Sequence, residues 1–260
     1  MTAWTPGALA PRPQAAPVGR MLAAQARAEL TLVLRNAEQV LLSLVIPLGL
    51  LVLLVTVPFI GLEGAPDRAG RADFFVPGVL ALAVMSTAFT GQAIGVGFER
   101  QYGVLKRLGA TPLPRAVLLG AKTLAVLAVE VLQVAALSLV GLALGWDPRG
   151  PVLAALVLVV LGTAAFSGLG LLLGGTLPGL TTLAAANLLW FVLLVLGGVL
   201  FPLSSLGGAE PVLSLLPTAA LSTGLREVLQ TGAVPVREMV ALAAWSLAAL
   251  GAAARLFRWE

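Results

Sequence analysis

Long apolar runs alternate with short charged segments along the whole of this 260-residue chain, and the pattern predicts six membrane spans. A helix needs about 20 consecutive apolar residues to cross roughly 30 Å of hydrocarbon. Windows of that kind run about 40–60, 74–98, 116–144, 152–176, 180–201 and 239–256, the third carrying Lys122 and Glu130 inside it. The fourth and fifth are cut from one 60-residue stretch, Gly150 to Ala209, that holds no Asp, Glu, Lys or Arg. Leu177, Pro178 and Gly179 supply the turn between them.

Two segments outside the spans carry patterns of their own. Residues 1–19 contain Pro6, Pro11, Pro13 and Pro17 and read as a disordered tail, with no apolar core of a signal peptide. From 20 to 38 the periodicity becomes helical. Leu22, Ala26, Leu30, Val33 and Leu34 share one side, and Arg27, Thr31 and Arg35 the other. This predicts an amphipathic helix lying on the membrane surface, the alternative being a frayed start of the first span. Between spans five and six, residues 202–238 are apolar but interrupted by Pro211, Pro217 and Pro235. Short helices dipping back into the outer leaflet fit that pattern, since irregular backbone at membrane depth needs cover from protein or a water-filled cavity.

Composition agrees with the pattern. Only 11% of the residues are charged and 59% are hydrophobic, against about 25% charged in a typical soluble domain. The chain has no His and no Cys, which removes imidazole bases, thiolate nucleophiles and the metal sites that depend on them. An intramembrane enzyme is therefore left with few mechanisms. The net charge of +4 reads as topology and not as nucleic-acid affinity. Arg12, Arg20, Arg27 and Arg35 precede span one, Arg100, Lys106, Arg107 and Arg115 follow span two, and Arg255 and Arg258 close the chain. These ten share one side of a six-span layout, and Arg68, Arg71, Arg149, Arg226 and Arg237 lie on the other. The positive-inside rule then puts both termini in the cytosol.

The most informative segment follows span two. Projected as a helix, Phe98, Tyr102, Leu105 and Leu108 share a face, while Glu99, Arg100, Lys106 and Arg107 occupy the opposite arc. Gly109 supplies a C-cap, and Pro112 and Pro114 prevent continuation before span three. A two-faced helix of this length suits a groove on a soluble partner, or the surface of the bilayer itself.

Here the sequence resembles the permease subunits of type-2 ATP-binding-cassette exporters, a family that includes antibiotic and multidrug efflux systems. The run Glu99, Arg100, Tyr102 to Gly103, Leu105 to Leu108 and Thr111 to Pro112, with Lys122 ten residues on, is similar to that family's loop of Glu-Arg, Gly, Leu-x-x-Leu, Pro and Gly-x-Lys. In the outer segment, Leu216 to Thr218 and Leu225 to Glu227 match the family's proline and arginine-bearing helix only loosely.

The resemblance implies an all-α, six-span protein with an N-terminal interfacial helix, marked by Leu22, Arg27, Leu30 and Arg35, a cytosolic coupling helix and re-entrant outer helices. It implies that Glu99, Arg100, Tyr102, Gly103, Leu105, Lys106, Arg107 and Leu108 dock a separate cytosolic ATPase subunit that holds ATP and Mg. It further implies a second copy of the permease, a homodimer, embedded in lipid of a bacterial-type cell membrane and working in efflux.

A phosphate-cradling loop needs Gly, four residues, then Gly-Lys-Ser/Thr. The nearest approach, Gly120 to Thr123, has Ala121 between glycine and lysine. Energy must then come from a partner or from an ion gradient. The gradient reading centres on Glu130, which with Gln133, Asn187 and Trp190 makes up the candidates for a translocation path. Lys122 is read as an anchor that snorkels to the cytosolic side. The glycine pairs Gly91/Gly95, Gly141/Gly145 and Gly170/Gly174 have close-packing spacing, and Trp146 and Trp259 fall where interface anchors belong.

Overall fold

The computed structural model of the chain describes residues 15–57 and 67–259, all helical or irregular with no strand among them. The expected disordered tail falls, as far as residue 14, outside the described residues. Nine α-helices of six residues or more organise the described residues: α1 Val18–Arg35, α2 Ala37–Thr56, α3 Arg68–Gln101, α4 Val104–Gly109, α5 Arg115–Ala143, α6 Val152–Thr176, α7 Gly179–Leu196, α8 Pro217–Arg226 and α9 Val236–Leu256. Five of them, α3, α5, α6, α7 and α9, are long and apolar enough to cross a membrane singly. The bent pairs α1/α2 and Gly207–Leu213/Pro217–Thr231 raise the number of spans to as many as seven.

Prolines set the helix starts where the sequence placed them. Pro114, Pro151 and Pro178 each stand one residue before α5, α6 and α7, where a missing N–H costs nothing. The second span is longer than its apolar window because Asp67 caps it, accepting the Gly70 N–H at 3.0 Å. The fifth is shorter. Gly197 and Gly198 end α7, and Gly198 takes a left-handed φ of 68° that a side chain would resist.

Helix α3 is the axis of the bundle, with Phe75, Val76, Val79, Met85 and Phe89 buried and α2, α5, α6, α7 and α8 packed around it. Met85–Gly91 within it is a π-helical turn, a feature frequent at functional sites. Helix α6 meets α3 backbone to backbone: a Cβ on Gly170 would lie 2.7 Å from the Phe89 carbonyl oxygen, and one on Gly174 2.5 Å from that of Ala93. That glycine pair is an intrachain contact. Gly141 likewise admits Val76, whereas a Cβ on Gly95 would meet nothing.

The amphipathic helix α1 does not simply lie on a surface. It packs along α5, with Leu22 reaching Gly120, and Leu34 is exposed while Glu29 is buried. At +7 from Leu22, Glu29 stands in the middle of the apolar stripe, where two helical turns bring it back to the same face.

Candidate functional site

Positive residues gather at one end of the bundle, where α3 stops, α5 and α7 start, and α6 and α9 finish. The segment after span two is not one helix there. The chain turns at Tyr102 and Gly103, whose φ of 72° is left-handed, and resumes as α4. The single-helix projection of Phe98, Tyr102, Leu105 and Leu108 therefore fails, because it carried one phase across the break.

This break splits the expected docking residues into two groups. Tyr102, Lys106 and Arg107 are exposed, Tyr102 at 69%, and Gly103 and Leu108 are half-buried. Leu105 is fully enclosed within the chain by Val96, Leu118, Leu119, Leu171, Ala253 and Phe257. It cannot fill a partner's groove, as the projection had it. Instead it joins α4 to the ends of α3, α5, α6 and α9, so a displacement of the exposed rim meets four spans at once. Arg100 is also turned inward, donating from Nη1 to the Gly175 carbonyl oxygen at 2.8 Å.

Glu99 faces the interior as well. Lys122 Nζ lies 2.7 Å from Glu99 Oε2 and 2.9 Å from Glu29 Oε2, and Gln25 Nε2 donates to Glu29 Oε1 at 2.8 Å. The lysine is 6% exposed, so it does not snorkel as an anchor would. The reason is pairing: an ammonium flanked by two carboxylates is stabilised where it stands, and its removal would strand both. This triad ties α1, the end of α3 and α5 together beside the docking rim.

The C-terminal tail completes that end. Phe257 fills the notch left by Gly175, Trp259 lies on Gly109, and the Arg258 N–H donates to the Gly175 carbonyl oxygen at 3.1 Å. The Phe257 and Trp259 rings meet edge to face with centroids 5.8 Å apart. Trp259 thus packs on protein. Trp146, the other expected interface anchor, is buried beside Gly141.

The candidates for a translocation path are scattered. Glu130 is buried between α5 and α6 and accepts a hydrogen bond from Thr163. Gln133 Nε2 donates to the Ser43 carbonyl oxygen at 2.9 Å and to Thr87 Oγ1 at 3.0 Å, joining α5 to α2 and α3. Trp190 Nε1 donates to Ser86 Oγ at 2.9 Å, on the π-helical turn of α3. Asn187 is exposed and donates only to its own helix, to the Leu183 carbonyl oxygen. The structure does not bring these four to one surface.

At the opposite end, Arg226 is the residue sequence reasoning undervalued. Its guanidinium donates to the carbonyl oxygens of Phe74, Gly198 and Val199, and stands 4.0 Å from the centroid of the Phe74 ring. The Gly198 and Val199 carbonyls are exposed by the early end of α7, while that of Phe74 lies on α3. Gly78 makes room, since a Cβ there would lie 2.8 Å from Arg226 Nη2. Arg226 thereby fixes α8, whose Thr218, Leu221 and Ser222 are fully buried, between α3 and α7. Gly207–Leu213 and Pro217–Thr231 are bent by 101° at their break, the geometry of either a broken span or a re-entrant segment.

An all-helical chain with several membrane-crossing helices, no phosphate loop and a rigidly mounted polar loop between two spans has the build of a transport subunit. The sequence profile of the ABC-2 type transporter family matches residues 22–229, and the chain belongs to that family, as a permease subunit. Permeases of this family generally work with an ATP-binding-cassette partner. No curated protein matches the chain in sequence.

Proposed function

We propose that the chain is the membrane subunit of an exporter in which two copies enclose a path for an amphipathic compound and a separate ATPase supplies the work. Both termini and the basic end face the cytosol in this reading, supported by the ten Lys and Arg residues on that side against five on the other. The observation that carries it is the mounting of α4. Its Tyr102, Lys106 and Arg107 rim is exposed, and buried Leu105 locks it to four span ends.

Exposed aromatic and basic side chains of this kind anchor protein contacts. ATP-driven closure of the partner would push the rim, and the locked span ends would turn with it. Glu130 takes no part in this step. The gradient-driven alternative makes it a proton carrier, and its burial against Thr163 without a second titratable neighbour gives it no relay.

The tagged chain should bring down an ATP-binding-cassette ATPase from native membranes. The double substitution Tyr102→Asp with Arg107→Glu should reduce that recovery by about tenfold or more, the loss of two interface anchors, at unchanged levels of inserted permease. Equal recovery from the double variant would remove this rim from the account. ATP-independent transport that follows the proton gradient and stops with Glu130→Gln would replace it with the ion-coupled reading.

A further inference from the structure

A cleft of about 900 Å3 opens at the basic end, lined by Arg115, Arg255, Arg258, Thr176, Phe257 and Trp259 among others. Each arginine comes from a different place: Arg115 opens α5, Arg255 lies in the last turn of α9, and Arg258 sits on the tail beyond it. Their backbones are held fast. Pro114 precedes α5, and the tail is pinned at Gly175 and Gly109 by Phe257, Trp259 and the Arg258 N–H.

No carboxylate lines the cleft among the described residues, and none of the three guanidinium groups has an ion-pair partner there. Three like charges fixed around one cavity repel each other, and an anion between them relieves the repulsion. The fork of donors on arginine matches the oxygens of a phosphate group, which it takes bidentately.

The position narrows the source. The cleft lies at the ends of three membrane-crossing helices, α5, α6 and α9. Where those helices leave the bilayer, lipid headgroups meet them. Basic pockets between spans are suited to anionic headgroups. We propose that this cleft binds the phosphate ester of an anionic phospholipid headgroup. Because Trp259 also lies on Gly109 of α4, an occupied cleft braces the segment assigned to the ATPase, although lipid binding itself does not depend on that assignment.

The test is native mass spectrometry of the purified full chain in neutral detergent, titrated with dioctanoyl phosphatidylglycerol, dioctanoyl phosphatidylcholine and glycerol 3-phosphate. Phosphatidylglycerol should bind about tenfold more tightly than phosphatidylcholine, and Arg255→Gln with Arg258→Gln should remove that preference, as expected for the loss of charge-assisted hydrogen bonds. Arg115→Gln, on a different helix, should weaken it in the same direction, and Arg255→Lys with Arg258→Lys should retain part of it. These side chains are exposed, so unfolding temperatures should not change.

Displacement by glycerol 3-phosphate at similar concentration would make the phosphate group alone sufficient, and failure to displace would require the lipid. Either result keeps the site. Equal binding of both lipids, or a preference untouched by all three variants, would overturn the proposal. So would variants that keep the lipid but lose the ATPase, since the cluster would then be a protein contact.

Discussion

Lys122→Met should produce the largest loss of folded protein of any single substitution at the basic end. The ammonium is within 2.9 Å of Glu29 and 2.7 Å of Glu99 and is 6% exposed, so its removal leaves two carboxylates facing each other without a cation. Breaking a buried pair in this way costs about 3–5 kcal/mol, a large part of the stability of a typical domain. The expected readout is a fall in monodisperse protein on fluorescence-detected size exclusion and release of α1 from α5.

The triple substitution Glu29→Gln, Lys122→Met, Glu99→Gln should recover most of the yield, because replacing all the charges together is close to neutral whereas removing one is not. A single variant that matches wild type would mean that the three groups do not form a buried ionic unit. A triple variant no better than the single would show that Lys122 matters for its shape alone.

Arg226→Met should have the second largest effect, at the other end of the bundle. Three carbonyl oxygens, those of Phe74, Gly198 and Val199, lose their donor, and the Phe74 ring loses its cation. Hydrogen bonds from charged donors contribute about 1.5–3 kcal/mol each, so destabilisation of about 3 kcal/mol or more is expected. Arg226→Lys should rescue little, since one ammonium does not span three acceptors in the geometry of a fork. The local consequence is separable from global unfolding. The chain has no native cysteine, and Thr218→Cys places a thiol where the wild type is fully enclosed. That thiol should be inert to a membrane-impermeant maleimide in the Arg226 protein and react once Arg226 is replaced. Protection in both would show that α8 is held by its apolar packing alone.

The contrast between these residues and the helices shows what the chain disclosed beforehand. Starts of α5, α6 and α7 were legible because Pro114, Pro151 and Pro178 act locally, and the ends of the apolar windows coincide with a change of solvent. The triad was not, because Glu29 and Lys122 are 93 positions apart, and no local rule pairs them. A signal existed nonetheless. A carboxylate in the centre of the apolar face of α1 needs a cation opposite it, and Lys122, already costly inside a span, was the available one.

The α4 segment failed differently. Helical projection assumed a constant phase from Phe98 to Leu108, and Gly103 resets it. Leu105 then falls on the inner side, and Tyr102 is left outside. Arg226 carries no comparable signal because its partners are backbone carbonyls, which have no sequence signature, and those of Gly198 and Val199 are free only because α7 stops early at Gly197. The α4 segment and Arg226 share one cause: each depends on where a helix ends, and helix ends are set by contacts the apolar pattern does not contain.

Docking of an ATPase on the α4 rim is tested most directly by single-cysteine cross-linking, for which the cysteine-free chain needs no background substitutions. Val104, 40% exposed on α4, and Val212, 70% exposed at the other end of the bundle, offer matched sites. With a short thiol-to-amine reagent in native membranes, Val104→Cys should form an adduct containing the ATPase, identified by mass spectrometry, and Val212→Cys should form none. An ATPase adduct from Val212→Cys and none from Val104→Cys would contradict the account.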